Sequence, residues 1–315
     1  MPVLNEERHL EAAVAGVLSQ RYDGELELLL AVAPSKDRTR EIADQLAVED
    51  PRIVVLDNPA SATPSGLNVC IAAARFDVIV RVDGHNELSE GYIATAVRLL
   101  EETGAANVGG LMDAQGYTPL SEAVAAGYNS TFGLGGGGFH LAKTPAGPAD
   151  TVFLGVFRKD ALQAIGGFDE SLHRAQDWEL NYRLRQAGHL VYFSPELRVT
   201  YRPRDSVGDL ARQLYRTGQW RREVIRRHAD TASPRYLAPP VTVIGLVVGL
   251  IGGTLGLLLR NPWLVALFAA PAVYLAFLAF ATATTRGLSP AARLRFPIVL
   301  TVMHISWGLG FLRGL

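Results

Sequence analysis

The chain has 315 residues, a formal net charge of −1, 19% charged side chains and a single cysteine, Cys70. A near-neutral balance excludes nucleic-acid recognition, which needs a basic surface, and one thiol excludes an internal disulfide and fits a reducing compartment. The length suits one globular domain of about 200–250 residues with a further segment left over.

The first 200 residues alternate strand-like and helix-like segments. Met1 leads directly into Pro2-Val3-Leu4, with neither the basic n-region nor the apolar stretch of a secretory leader. Four apolar residues are short for a central strand of about 5–6, so the first strand is expected to be cut short or to begin a few residues upstream. Strands are expected at 27–33, 53–56, 78–82, 106–111, 151–158 and 190–193, and helices at 7–19, 39–50, 65–74, 90–103, 159–165 and 178–187. Short apolar runs separated by helices predict a mostly parallel sheet with covered faces. Ligands of such sheets sit at the carboxyl ends of strands.

The strand at 78–82 runs into Asp83-Gly84-His85. A carboxylate and an imidazole two residues apart, at the carboxyl end of a strand, reach one divalent cation, and mixed oxygen and nitrogen ligands suit Mn²⁺ or Mg²⁺. Such a cation would hold a diphosphate and neutralise charge on a leaving nucleotide. The plainer reading has Asp83 start a turn and His85 cap the next helix. Residues 133–148 are rich in glycine without the Gly-Lys-Ser/Thr of a P-loop. They read as a lid that orders over a ligand or as a surface loop. Asp177 stands where a helix is expected to begin, so it is either an N-cap or a general base facing a cleft. Leu180 and Leu184 mark the buried stripe of that helix, and Glu179 lies one turn before Arg183.

Residues 202–235 hold nine arginines against four acids. Within them Arg216-Thr217-Gly218-Gln219-Trp220 reads as a diphosphate clamp or as a membrane-interface element. Beyond 237 the chain turns apolar, with uncharged runs at 241–259, 263–285 and 296–312. A span needs about 20 residues, range about 17–25, so two to three transmembrane helices are expected. Nine arginines precede the first span, Arg260 alone follows it, and Arg286, Arg293 and Arg295 lie between the second and third. The positive-inside rule then puts the N-terminal domain in the cytoplasm. Three parts are expected: a catalytic domain over 1–200, a basic amphipathic juxtamembrane connector over 201–236 and a transmembrane region over 237–315.

Six segments, in order, resemble the family 2 glycosyltransferases, within them the membrane-bound branch of succinoglycan-type exopolysaccharide biosynthesis. They are Pro2-Val3-Leu4-Asn5-Glu6-Glu7, Ser35-Lys36-Asp37-Arg38-Thr39, Pro64-Ser65-Gly66-Leu67-Asn68, Arg81-Val82-Asp83-Gly84-His85, Gly166-Gly167-Phe168-Asp169-Glu170 and Gln176-Asp177-Trp178-Glu179. The resemblance covers residues 1 to about 225. It implies an α/β fold of the GT-A type (a Rossmann-like, mostly parallel sheet flanked by helices) followed here by C-terminal transmembrane helices. It also implies a nucleotide-sugar donor, a divalent metal and inversion at the anomeric carbon. By the same resemblance Pro2, Glu6, Asp37, Asn68 and Asp83 belong to the donor pocket. Asp83 and His85 stand at the D-x-D metal position, with histidine for the second aspartate. Asp177 stands at the catalytic base, with Gln176 in the place of a glutamate. Arg216, Gln219 and Trp220 resemble a Q-x-x-R-W element with glutamine and arginine exchanged. The segment Ala31-Val32-Ala33-Pro34-Ser35 departs from the family in lacking paired aspartates, which bears on the base and ribose contacts. The exchanged R-x-x-Q-W and the few transmembrane helices argue against processive synthesis.

The expected function is an inverting, metal-dependent, hexosyltransferase-type enzyme of the cell membrane. It would move a sugar from a nucleotide-sugar donor to a lipid-linked saccharide or polyprenyl-phosphate acceptor in cell-surface or exopolysaccharide biosynthesis. Two other functions fit the same residues. One is a polyprenyl-phosphate sugar transferase, whose acceptor is the phosphate itself, and the other is a non-catalytic membrane scaffold with a degenerate transferase domain.

Overall fold

A computed structural model describes every residue except His85, Gly135 and Gly136, with Leu134 described by its backbone alone. In chain order the elements to the sixth strand are β1 (Pro2–Val3), α1 (Leu10–Leu18), β2 (Leu28–Val32), α2 (Thr39–Glu49), β3 (Ile53–Asp57), α3 (Thr63–Ala73), β4 (Val78–Val80), β5 (Glu87–Leu88), α4 (Tyr92–Thr103) and β6 (Asn107–Ala114). Then come α5 (Pro119–Tyr128), α6 (Thr131–Leu134), β7 (Gly147–Pro148), β8 (Phe153–Arg158), α7 (Lys159–Ala164), α8 (Gln176–Gln186) and β9 (Val191–Tyr201). The rest is helical, with α9 (Val207–Arg227), α10 (Pro234–Leu258), α11 (Pro262–Val265), α12 (Ala269–Thr284) and α13 (Pro290–Arg313). Two units divide these elements, one of Met1–Asp113 with Gly138–Tyr201 and one of Ala114–Gly137 with Arg202–Leu315.

In the first unit β1, β2 and β3 pair in parallel, Pro2 opposite Ala31 and Leu28 opposite Ile53. All of β2 is buried, as a parallel strand covered on both faces must be. β1 lies at the edge of this three-stranded sheet rather than at its centre. The second sheet has the order β4-β8-β6-β9-β5, with β7 on β9. β8 runs antiparallel to both β4 and β6. β4 and β6 therefore run the same way, with α4 between them in the chain. The parallel core expected from the sequence is present, and antiparallel pairs extend it. The reason is connectivity. Parallel neighbours need a crossover on the sheet face, whereas between β6 and β8 the chain passes through residues 114–137 of the other unit. On α8, Leu180 and Leu184 are fully buried, the stripe their spacing predicts. They pack with Leu67, Ile71, Phe157, Phe168 and Phe193.

The second unit takes in residues 114–137, so the continuous domain expected over 1–200 is interrupted. α5 joins the C-terminal helices because its apolar residues Ala123, Val124 and Tyr128 are buried, and Gly127 lies so close to α13 that a Cβ there would meet Met303 Sδ at 2.8 Å. The expected basic connector is largely the helix α9, which buries Leu210, Leu214, Gly218 and Val224. Three helices are long and apolar enough to cross a membrane: Pro234–Leu258 and Pro262–Thr284, each with mean hydropathy 2.3, and Pro290–Arg313 with 1.3. The chain is thus membrane-associated by composition. Arg293, expected in a turn, is within α13, where its guanidinium donates to the carbonyls of Thr282 and Thr285 at 2.6 and 3.1 Å. It thereby caps the end of α12.

Candidate active site

The site forms beyond the carboxyl end of β4. In extended chain, residues two apart share a face, so Arg81 and Asp83 point the same way. Arg81 is only 6% exposed, and a buried guanidinium must be paired. Its Nε and Nη2 donate to Asp83 Oδ1 at 3.2 and 3.1 Å, and its Nη1 donates to Asp177 Oδ1. One buried cation therefore gathers two carboxylates that are distant in sequence and offsets their mutual repulsion. The Asp83 and Asp177 side chains keep 24% and 40% of their surface, so both carboxylates face solvent.

Asp177 is not the helix cap. α8 starts at Gln176, and Ala175 precedes it in the left-handed region at φ 62° with no side-chain cap. Asp177 is the second helical residue, where the helix dipole favours its charge. A non-glycine residue in that conformation is strained, and it stands two residues before the carboxylate.

The loops after β1 and β2 are laced together. Asn5 and Glu7 donate their N–H groups to Ser35 Oγ at 3.0 Å and Asp37 Oδ2 at 3.2 Å. Glu6 N–H donates to Thr39 Oγ1 at 2.7 Å, and Thr39 donates its hydroxyl to Asp37 Oδ1 at 2.6 Å. The Thr39 hydroxyl holds the Asp37 carboxyl below its ordinary range. Asp37, placed in the donor pocket from the sequence, thus fastens this loop pair. The Glu6 side chain reaches the Asp83 corner, since a Cβ on Gly84 would lie 3.2 Å from Glu6 Cγ. Pro2 packs beside α3, 3.0 Å from where a Cβ on Gly66 would sit.

Asn68 clamps the loop over residues 166–170. Its Nδ2 donates to the Phe168 carbonyl and to Glu170 Oε1, both at 2.9 Å, and its Oδ1 accepts the Phe168 N–H at 2.8 Å. The same loop is held by Arg183, which donates to the carbonyls of Ile165 and Gly167 at 2.7 and 2.8 Å. The expected Glu179–Arg183 pair is present and two-pronged, at 2.7 and 2.8 Å. Both ends of the Asn68 amide are thus engaged in holding this loop. The lid expected over 133–148 includes Gly135 and Gly136, which lie outside the described residues.

Arg216, Gln219 and Trp220 belong to the second unit, on α9. Arg216 is exposed and Trp220 half-buried. Gln219 Nε2 donates to the Gly314 carbonyl at 2.7 Å, so this side chain caps the end of α13.

His85, expected as a metal ligand, lies outside the described residues, and among the described residues no three acidic, histidine or cysteine side chains cluster as a metal site. The donors at Asp83 nonetheless fit a hard cation. Among the described residues, Asp83 Oδ2 accepts one long hydrogen bond, from Asn86 Nδ2 at 3.3 Å. Asn86 Oδ1 is buried with no hydrogen-bond partner among the described residues. A carboxylate and an amide oxygen suit Mg²⁺ or Mn²⁺, which takes one or two protein carboxylates and completes its shell with substrate phosphates.

Sequence reasoning missed Arg81, although a lone cation in an apolar strand signals a buried partner. It also missed the loop clamp made by Asn68 and Arg183.

The family model described as glycosyl transferase family 2 matches residues 1–164. The whole chain is 30% identical, over 93% of that protein, to "Succinoglycan biosynthesis protein ExoA" of Rhizobium meliloti (strain 1021). Among solved structures, the mannosyltransferase PcManGT from Pyrobaculum calidifontis in complex with GDP-Man and Mn²⁺ matches with TM-score 0.60 and 18% identity over 99% of this chain and 85% of that one. TarS 1–349 of S. aureus in complex with UDP matches with TM-score 0.50 and 13% identity over 95% and 88%. These structural likenesses carry the fold, a GT-A-type α/β core with long apolar helices after it. The family match and the full-length relative place the chain in glycosyltransferase family 2.

Proposed function

We propose that the protein is an inverting glycosyltransferase that moves a sugar from a nucleotide-sugar donor to a lipid-linked acceptor in exopolysaccharide assembly, with its α/β unit in the cytoplasm. The observation that carries this reading is the gathering of Asp83 and Asp177 on Arg81 beyond the end of β4. Asp177 is the general base. Its Oδ1 faces Arg81, and its Oδ2 takes the proton of an acceptor hydroxyl as that oxygen bonds to the anomeric carbon and the bond to the donor's diphosphate breaks. Attack and departure on opposite faces of the sugar invert the centre, as in inverting glycoside hydrolysis. Asp83 and Asn86, with His85 two residues after Asp83 in the sequence, would hold a divalent cation, which when bound supplies charge neutralisation for the leaving diphosphate. The Glu6–Asp37 loop pair and the Asn68-clamped loop wall the donor.

Three further facts support the parts beyond the geometry. PcManGT binds GDP-Man and Mn²⁺, a full-length relative bears the name of a succinoglycan biosynthesis protein, and an arginine-rich helix precedes three apolar ones. The test is a thermal-shift panel of nucleotides and nucleotide sugars, with and without Mn²⁺ or Mg²⁺, on detergent-solubilised protein, followed by transfer assays. A metal-dependent rise with one donor, lost in Asp83→Ala, is expected. General-base catalysis is worth about 10²–10⁴-fold, so Asp177→Asn should lower transfer on that scale with donor binding kept. Undiminished turnover in Asp177→Asn would remove the base from the mechanism.

A further inference from the structure

We propose that α13, long and apolar enough to cross a membrane, instead lies along its surface, with an outer apolar stripe that meets the lipid interface. The chain then crosses the bilayer twice, at α10 and α12, and Leu315 is on the same side as α9. This goes beyond the catalytic reading and holds whichever sugar is moved.

Both ends of α13 are tied to α9. At its start, the Ser289 N–H and hydroxyl both donate to the Glu122 carboxylate on α5. Thr118, the cap of α5, donates its hydroxyl to Asp205 Oδ1, two residues ahead of α9. At its end, Gln219 of α9 donates to the Gly314 carbonyl at 2.7 Å, and Arg222 donates to the Phe311 and Leu312 carbonyls. α9 carries eight charged residues in 21 and does not enter hydrocarbon. With 24 residues, α13 is about 36 Å long, more than a hydrocarbon core of about 30 Å. As a span it would hold its two ends at opposite faces, and α9 could not reach both.

The contacts of α13 with the spans fall near the face at which α10 begins. A Cβ on Gly308 would lie 2.6 Å from the Pro239 carbonyl oxygen and 2.7 Å from Val243 Cγ2, in the first three turns of α10. His304 Nδ1 is 3.0 Å from the Tyr274 hydroxyl, and Arg293 reaches the carbonyls of Thr282 and Thr285, so α12 is met over its last three turns. Deeper in, α10 is covered by α12, with Pro271 Cδ 2.5 Å from where a Cβ on Gly249 would sit. The apolar window of α13 is also 44% buried in protein, against 22% and 11% in the other two helices.

What α13 turns outward is one stripe. Leu294, Ile298, Leu309 and Leu312 are exposed, and spacings of four, eleven and three residues keep them on one side of a helix. Phe296, Leu300, Met303 and Trp307 are buried on the other. Arg293, Arg295 and Arg313 stand at the two ends, where their long stems carry the charge to headgroup level. An apolar stripe with basic ends, next to two spans, fits the plane of the interface.

The test uses the full chain with Cys70→Ala, which removes its one thiol. Single cysteines enter as Arg204→Cys before α9, Arg260→Cys after α10 and Leu315→Cys. In inverted vesicles and in spheroplasts of the expression host, a membrane-impermeant maleimide should reach Leu315→Cys from the side that reaches Arg204→Cys, and Arg260→Cys from the other. Spin labels on Leu294→Cys, Ile298→Cys and Leu309→Cys then report depth through collisions with oxygen and with a nickel chelate. All three should lie at similar depth, about 5–10 Å into the interface. On a helix along the bilayer normal, Ile298 and Leu309 would differ in depth by about 16 Å. Labelling of Leu315→Cys from the Arg260→Cys side would overturn the proposal, as would a depth gradient of that size. Weak collision with both reagents at all three positions would show protein covering the stripe, and would overturn the lipid contact. If Leu315→Cys resists the maleimide from both sides, the depth profile decides. The nucleotide-and-Mn²⁺ thermal shift, run on the same proteins, reports the donor site separately.

Discussion

Arg81→Met removes the fork that joins the two carboxylates and keeps most of the stem. Breaking a buried ion pair from one side costs about 3–5 kcal/mol when the partner stays buried. Here the stranded carboxylates are 24% and 40% exposed, and water takes up much of that charge. A loss of about 1–3 kcal/mol is expected, or about 2–12 °C in Tm for a domain of this size. Activity should fall further. Asp177 loses the donor that aims it, and a misplacement of about 1 Å costs about 10²-fold, so kcat should drop about 10²-fold. Metal-dependent nucleotide binding should hold or tighten, because Asp83 Oδ1 no longer shares its charge with Arg81. Arg81→Lys restores a charge that reaches one carboxylate at a time, so it should recover Tm more than kcat. The assay pairs steady-state transfer with the nucleotide thermal shift. A kcat within about threefold of wild type would refute the positioning role. Loss of nucleotide binding in step with kcat would also refute it, since Arg81 would then be a donor ligand.

Asn68→Ala removes both sides of the clamp on Phe168. At about 1 kcal/mol per bond it should cost about 2 kcal/mol and lower Tm by about 4–8 °C in thermal unfolding, and an unchanged Tm would show that the loop holds without it. Glu223 is held down to about 2 from 4.5, first by Arg226 and then by Arg227. Its folded value lies below its unfolded one, so its contribution is complete above about pH 4.5 and is lost as pH falls toward 2. Tm followed from pH 6 to 3 should fall less steeply in Glu223→Gln, and an identical slope would sink that account. Gly310→Ala would put a Cβ 1.9 Å from the Tyr215 carbonyl oxygen, an overpacking of at least about 1–3 kcal/mol. Gly16→Ala, with nothing within 4 Å on α1, should instead stabilise by about 0.4–1 kcal/mol. Equal Tm in the two alanine variants would count against close α9–α13 packing through glycine.

What the sequence disclosed follows from how local each feature is. Apolar runs of the right length marked β2, β3, β4 and β8 within a residue or two, most directly in β2 and β8, where burial on both faces writes itself into consecutive residues. The Leu180–Leu184 stripe and the Glu179–Arg183 pair on α8 were equally visible, since a helix brings residues four apart together. Residues 114–137 were not assigned to the helical unit, because the partner of α5 is α13, far along the chain, and the period of a short helix does not say which surface it meets.

The site divides along the same line. Arg81 and Asp83 are two apart just beyond β4, so their pairing is local, although sequence reasoning missed it. The bond from Arg81 to Asp177 spans 96 residues and leaves no local pattern. The residues around Asp177 therefore leave an N-cap and a general base both open, and the resemblance alone favours the base. α8 starts at Gln176 with the left-handed Ala175 at its N-cap, so Asp177 lies inside the first turn, and its Oδ1 meets Arg81. The strained turn and the buried arginine are thus two halves of one arrangement. Relaxing either should free Asp177 to serve the helix instead of the site.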